Sequence, residues 1–115
     1  MKKFLLLLAL LLSSPAYADD IYFALDSGRQ TVTSNGTEVQ LSSTSIPCKR
    51  VIVQAETDNT NPVTVGGSDV VGALATRQGI ALTAGSAITI RTNDVSNIWI
   101  DSVTDTEGVT WLAFK

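Results

Sequence analysis

The stretch KRVIVQAETDNTNPVTVGG, residues 49–67, carries the pattern that decides the fold. Apolar side chains alternate over residues 51–55, which is the period of an extended strand. Turn-forming residues then fill positions 57–62. A second alternating run at 63–65 ends at a pair of glycines. The stretch therefore predicts two strands joined as a β-hairpin, and the rest of the chain repeats the design.

Similar runs follow one another through the chain. Asn35-Gly36 is the strongest two-residue hairpin signal, and it separates two short runs of strand-forming residues. Further extended pieces are predicted at 80–82, 87–91, 98–103 and 109–114, the last two joined as a hairpin through residues 105–108. About eight short strands with frequent turns are typical of a sandwich or barrel. We predict an all-β fold, a small antiparallel β-sandwich of jelly-roll type.

Residues at both ends of the mature chain bear on whether copies of the protein associate. Residues 19–29 have an apolar centre at 21–25 and a Ser27-Gly28 break, so they either pair with the domain's own sheet or extend as an arm. The sandwich domain is predicted to span 30–115. Its last strand, residues 109–114, is apolar on both faces, so it is either central in its sheet or covered by another subunit. Exposed sheet edges favour self-association, and we predict a homo-oligomer or larger assembly.

The first 18 residues have the pattern of a secretory signal peptide. A basic start precedes an apolar run at 4–12, and Ala16-Tyr17-Ala18 offers small residues for cleavage. The run is too short to span a membrane. We therefore predict export to the periplasm or the exterior, a mature chain that begins at Asp19, and no membrane insertion after cleavage.

The charge and cysteine content exclude several classes of protein. All 11 acidic residues lie beyond residue 18, with six of the 8 basic ones, for a net charge of −5 in the mature chain. An acidic domain without a basic stripe argues against nucleic-acid binding. The single Cys48 excludes a scaffold held by internal disulfides. We expect Cys48 to be a buried apolar side chain, with an intermolecular disulfide as the alternative.

The residue types that carry catalysis are sparse. The chain contains no histidine, the commonest general base and transition-metal ligand. Asp94, Asp101, Asp105 and Glu107 lie around the last predicted hairpin, but their spacing matches no calcium-loop motif. We predict a solvated acidic turn there, no catalytic residues, no cofactor, no metal and no enzymatic activity.

Trp99 and Trp111 are the candidate contact residues, since they fall on the two strands of the last predicted hairpin. If both point outward, they would stack on a sugar ring or fill a partner's pocket. The opposing prediction, which we favour, is that at least one belongs to the core.

A series of segments carries one further signal: 46–55, 59–60, 63–68, 79–82, 84–86, 88–90, 94–100 and 108–109. Together they resemble a group of short proteins encoded by tailed bacteriophages, which are counted among virion-associated structural proteins of the head-decoration or fibre kind. The resemblance covers roughly residues 39–114 and implies a compact β-sandwich that builds assemblies or displays a surface. The predicted signal peptide departs from that group, whose members assemble in the cytoplasm.

Two functions from different classes follow. The first is a non-enzymatic structural or interaction module, phage-virion-like, exported or virion-associated, and oligomeric. The second is a secreted carbohydrate- or cell-surface-binding module that uses Trp99 or Trp111. Light scattering and tryptophan fluorescence titration with glycans distinguish the two.

Overall fold

In the computed structural model, which describes residues 24–115, eight strands form two four-stranded antiparallel sheets. The strands are β1 (Leu25–Thr31), β2 (Val39–Gln40), β3 (Arg50–Ala55), β4 (Val63–Gly66), β5 (Ile80–Leu82), β6 (Ala87–Arg91), β7 (Trp99–Ser102) and β8 (Gly108–Phe114). Sheet 1 has the order β1-β8-β3-β6, and sheet 2 has the order β2-β7-β4-β5. Two short 3₁₀ turns, Leu74–Thr76 and Val95–Asn97, lie in connections.

This strand order confirms the predicted all-β fold of jelly-roll type. Only β4 and β5 are consecutive strands that pair within one sheet. Every other connection crosses from one sheet to the other. Strands that are neighbours in sequence therefore face each other across the core.

The three predicted hairpins are wrong for this reason. β3 belongs to sheet 1 and β4 to sheet 2, β1 and β2 lie in different sheets, and so do β7 and β8. The strands that flank residues 57–62 and 105–108 each carry an apolar inner face, and stacking the sheets buries both faces at once. The turn-rich residues at 35–36, 57–62 and 105–108 are arches over the end of the sandwich.

Of the two alternatives predicted for residues 19–29, pairing with the domain's own sheet holds for residues 25–29. Residues 25–29 pair in register with β8, so Ser27 and Gly28 lie inside a strand and the sheet begins at Leu25, before the predicted domain start at residue 30. Residues 1–23, which include the predicted signal peptide and its cleavage site, lie outside the described residues.

The inner faces of both sheets supply one core. Val51, Val53 and Ala55 of β3 are fully buried, as the alternation predicts. β8 is central in sheet 1, between β1 and β3. Its inner residues are buried, and the apolar residues of its outer face, Leu112 and Phe114, are half-buried. The prediction that this strand is central in its sheet therefore holds. The other core residues are Val32, Leu41, Val63, Val65, Leu82, Val95, Ile98, Ile100, Val109, Trp111 and Ala113.

Candidate interaction face

The outer face of sheet 2 is covered by the protein's own loops. The segment 67–79 lies over β4, where Val70 is 3% exposed and approaches Gly66. Thr64, on the outer face of the same strand, is fully buried. At Gly72 the loop comes so close to β7 that an added Cβ would lie 2.7 Å from the Ser102 nitrogen. The part of this face around Thr64 is thus in the interior.

Asp101 fixes that covering in place. Its carboxylate is 1% exposed and lies on the outer side of β7. It accepts a hydrogen bond from the Gly72 N–H at 2.8 Å and another from the Gly36 N–H at 3.1 Å. A carboxylate that accepts backbone N–H groups forms stronger hydrogen bonds than a neutral acceptor. Asp101 therefore ties two separate connections to sheet 2.

The outer face of sheet 1 carries no such cover among the described residues, and we call it the open face. Its residues form three cross-strand rows. Ile52 and Leu112 lie at its centre, directly opposite each other and half-buried. Leu25, which is 54% exposed, pairs with Phe114 at one end. The rows are Leu25-Phe114-Arg50-Arg91, Ser27-Leu112-Ile52-Thr89 and Arg29-Thr110-Gln54-Ala87.

One end of the open face is cationic. Lys49, Arg50, Arg91 and Phe114 line a groove of about 390 Å³. The Arg50 guanidinium lies 4.4 Å from the centre of the Phe114 ring, within the range of a cation–π interaction. Four of the six basic residues beyond residue 18 gather at this end when Lys115 is included. An acidic chain thus has a positively charged end of one sheet.

The opposite end of the open face is acidic. Glu56 and Asp58 line a second groove there, of about 440 Å³. Glu56 forms an ion pair with Arg29 of β1, and its second oxygen accepts from the Arg29 Nη2 at 3.0 Å. The hydrogen bond from Arg29 lowers the pKa of Glu56. The open face therefore has an apolar centre between ends of opposite charge.

Both edges of sheet 1 are unpaired among the described residues. β1 pairs only with β8, and β6 pairs only with β3. Half of the backbone groups of each edge strand therefore point away from the sheet. β6, with its sequence AITIR, contains no proline or glycine that would discourage another strand from pairing with it.

The two candidate tryptophans lie on different sheets and point in different directions. Trp111 is 8% exposed and belongs to the core, with its ring over Gly28 of β1. Trp99 is half-buried on the outer side of β7, in register with Gly66. The structure therefore does not form the two-tryptophan surface that outward-pointing side chains would give, and Trp99 alone keeps an exposed part.

The predicted solvated acidic turn is also corrected. Glu107 is 5% exposed, and its oxygens accept from the Thr60 hydroxyl at 2.7 Å and the Thr60 N–H at 3.1 Å. Asp105 accepts from the Asn35 N–H at 2.8 Å. Along with Asp101, these acids hold the arches of the sandwich together. Among residues 24–115 no group of three or more histidine, cysteine or acidic side chains is placed to hold a metal ion.

Cys48 lies beside the cationic end, half-buried against the core. Its thiol is 3.4 Å from the Thr92 carbonyl oxygen, and burial raises the pKa of this thiol. The neutral thiol is the less reactive form of cysteine.

None of the helical segments that the structure describes is long and apolar enough to cross a membrane.

Asp94 organises the connection between β6 and β7, and it makes the stability of the fold depend on pH. Its carboxylate accepts from the Ser45 hydroxyl, the Ser96 N–H at 2.9 Å and the Ile46 N–H at 3.0 Å. These bonds, that from Ser45 foremost, hold the pKa of Asp94 well below its usual range. A depressed carboxyl pKa adds stability that is complete above the unfolded-state pKa of about 4 and is lost as the pH falls below it.

We therefore expect Asp94→Asn to be less stable than the wild type at neutral pH and to lose less stability on acidification. Urea unfolding at about pH 6 and about pH 3 measures this difference. The Asp94→Asn variant keeps a residual acid dependence because Glu56 also has a lowered pKa. Parallel stability curves for the two proteins over this range would contradict the role given to Asp94.

Sequence reasoning missed the open face, although part of its signal was present. The apolar outer positions of the last strand, Leu112 and Phe114, were visible in the alternation. Arg50 and Arg91 are 41 positions apart in sequence, and only the pairing of β3 with β6 makes them neighbours.

Comparison with known proteins finds a distant likeness in fold to a solved structure. No protein-family model matches this chain, and no curated protein matches it. Its fold is similar to a chain in a solved structure described as "Bacillus endospore appendages form a novel family of disulfide-linked pili". The TM-score is 0.43 with 15% sequence identity, over 80% of this chain and 88% of the other.

Proposed function

We propose that this protein is an exported, non-enzymatic structural module whose copies associate through the open face of sheet 1. The observation that carries the proposal is the difference between the two sheets. Loops cover the outer face of sheet 2, whereas the outer face of sheet 1 leaves Ile52, Leu112 and Phe114 without a cover among the described residues. Uncovered apolar surface on a folded domain marks a site of interaction.

The ends of the open face support a second copy as the partner. The cationic end around Arg50 and Arg91 and the acidic end around Glu56 and Asp58 lie at opposite ends of the same strands. Two copies related by a two-fold axis perpendicular to the strands would bring the cationic end of each against the acidic end of the other. Complementary charges of this kind favour association and fix its register.

The size of the open face sets the strength of the contact. It spans about 14 Å across its four strands and about 13 Å along them. A face of these dimensions is smaller than the roughly 800 Å² that each partner buries in a stable interface. A single contact through the open face is therefore weak. We expect association at high protein concentration, or in an assembly in which each copy makes several contacts, the free edges of β1 and β6 included.

Export and the setting of the assembly rest on the sequence. The signal-peptide pattern of residues 1–18 supports secretion, and the resemblance to phage structural proteins supports a role in a larger particle. A glycan- or surface-binding role for Trp99 stays a prediction of the sequence. The non-enzymatic part of the proposal is supported by the acids of the arches, Asp101, Asp105 and Glu107, which accept hydrogen bonds from backbone groups.

Leu112→Lys tests the proposal. A lysine at the centre of the open face would be buried beside an apolar partner, which a charged group strongly disfavours. We expect the variant to fold and its association to weaken about tenfold or more, a difference of about 1.4 kcal/mol or more. Light scattering over a concentration series measures the change.

Ala75→Lys is the matched control, because it adds the same charge at an exposed position over sheet 2. It should associate as the wild type does. A wild type that stays monomeric at the highest concentrations, or a Leu112→Lys variant that associates normally, would overturn the proposal.

A further inference from the structure

The outer edge of β6 presents backbone groups that no described strand meets. β6 pairs only with β3, and the Ala55 N–H at the end of β3 donates to the Ser86 carbonyl at 2.9 Å. Hydrogen-bonded pairs recur at every second residue of an antiparallel ladder, so the even-numbered residues of β6 bond to β3 and the odd-numbered ones point away from the sheet. The free backbone groups are those of Ala87, Thr89 and Arg91.

The inner side of the same edge is apolar and incompletely covered. Ile88 and Ile90 of β6 are half-buried against the core. Ile80, on the inner side of the edge strand β5 of sheet 2, is 55% exposed. A tight turn at residues 83–86 joins β5 to β6, so the two edge strands lie on one side of the sandwich. Isoleucines of both sheets thus flank the free edge of β6.

The other free edge of sheet 1, that of β1, has a different character. Its inner side carries Asp26, Gly28 and Gln30. Asp26 forms an ion pair with Lys115 at 2.7 Å, and Gln30 donates to a backbone carbonyl of β2 at 2.7 Å. Pairing of β6 with β1 of another copy would place a carboxylate beside isoleucines, and burial in apolar surroundings disfavours a charge. The inner side of β6 therefore fits a second β6 better than it fits β1.

The sequence of β6, AITIR, is self-complementary when two copies of the strand run antiparallel. With Thr89 opposite Thr89 of the second copy, Ile88 lies opposite Ile90 and Ala87 lies opposite Arg91. This register pairs the whole strand and forms about six backbone hydrogen bonds across the edge. Opposed threonines are a favourable cross-strand pair, and the paired isoleucines remove apolar surface from water. The two arginines lie at opposite ends of the contact.

We propose that β6 pairs with β6 of a second copy about a two-fold axis, so that sheet 1 of one molecule continues into sheet 1 of the other as one antiparallel sheet. Edge strands pair with other chains in this way because their backbone groups are free. In the joined sheet the two open faces lie side by side, and the cationic end of each is next to the acidic end of the other.

The pairing leaves the surface assigned to the proposed function free. It uses the backbone of residues 87–91 and the isoleucines on the inner side. The side chains of Ile52, Leu112 and Phe114 stay on the open face, as do those of the arginines. The inference therefore goes beyond the proposed function and does not depend on it.

Disulfide trapping tests the pairing. In a Cys48→Ser background, Thr89→Cys places a thiol at the centre of the β6 edge, where the thiol of a second copy would be directly opposite and within the span of a disulfide. Ser27→Cys is the matched control, since Ser27 is exposed on the free edge of β1 and lies in the same cross-strand row as Thr89. The two full-length proteins are mixed in equal amounts at high concentration in a glutathione buffer.

We expect the disulfide between two copies of Thr89→Cys to form in about tenfold or more excess over each product that contains Ser27→Cys. Adding Leu112→Lys to both proteins should leave this excess unchanged, because the open face takes no part in the pairing. Peptide mapping without reduction identifies the three products and gives their amounts.

An excess of the disulfide between positions 89 and 27 would overturn the proposal, because it would mean that β6 pairs with β1. A statistical mixture of the three products would overturn it too, and so would an excess that disappears with Leu112→Lys. If Leu112→Lys alone associates as the wild type does, the proposed function fails, and the trapping at position 89 is still decided by its own yields.

Discussion

Trp111→Ala is expected to lower the free energy of unfolding by about 3–5 kcal/mol, the usual cost of removing a large aromatic side chain from a core. Trp111 is 8% exposed and pairs with Val53 on one side and Gly28 on the other. A Cβ at position 28 would lie 2.5 Å from its ring, so the ring fills the space above the glycine. Its removal leaves a cavity between the sheets.

Denaturant unfolding followed by circular dichroism measures this loss, which is a large part of the roughly 5–15 kcal/mol that stabilises a typical domain. Trp99→Ala is the control, since Trp99 is half-buried on the outside of sheet 2. Trp99→Ala should lower the free energy of unfolding clearly less than Trp111→Ala does. Equal losses for the two variants would contradict the placement of Trp111 in the core and of Trp99 at the surface.

Asp101→Ala has the second-largest expected effect, a loss of about 2–4 kcal/mol. The substitution leaves the buried Gly72 N–H without its acceptor, and a buried polar group left unsatisfied costs about 1–3 kcal/mol. It also removes the hydrogen bond from the exposed Gly36, and a typical hydrogen bond adds about 1 kcal/mol. Both the arch at 32–38 and the loop 67–79 should loosen. Hydrogen exchange at Gly36 and Gly72 should therefore accelerate along with the loss of stability.

Asp105→Ala provides the comparison, because Asp105 is exposed and accepts from Asn35 at the surface of the same arch. We expect a loss of less than about 1 kcal/mol. If Asp101→Ala were as mild as Asp105→Ala, the buried carboxylate would not be what secures the cover on sheet 2.

The strands were readable from the sequence because each buries one side. Val51 and Val53 are fully buried while Arg50 and Gln54 are exposed, and this alternation is local. The partner of each strand was not readable. Asn35-Gly36 suits a tight hairpin, and Gly36 does adopt a positive φ of 79°. Its N–H, however, is bonded to Asp101, 65 positions away, and a long-range contact of that kind leaves no local signal.

The candidate site was readable only in part for the same reason. The apolar outer positions of β8 indicated either a central strand or a covered one, and the structure makes β8 central with Leu112 and Phe114 half-buried. The strand β1 was harder to recognise, since its inner face holds Asp26, Gly28 and Gln30 instead of apolar residues. The opposed arginines emerge only from the register of β3 and β6.

Hydroxyl-radical footprinting over a protein concentration series tests the central claim, that the outer face of sheet 1 is the contact surface. As the concentration rises, oxidation of Leu112 and Phe114 should fall, while oxidation of Trp99 on the outside of sheet 2 should stay constant. Protection of Trp99 with no change at Leu112 and Phe114 would contradict the claim.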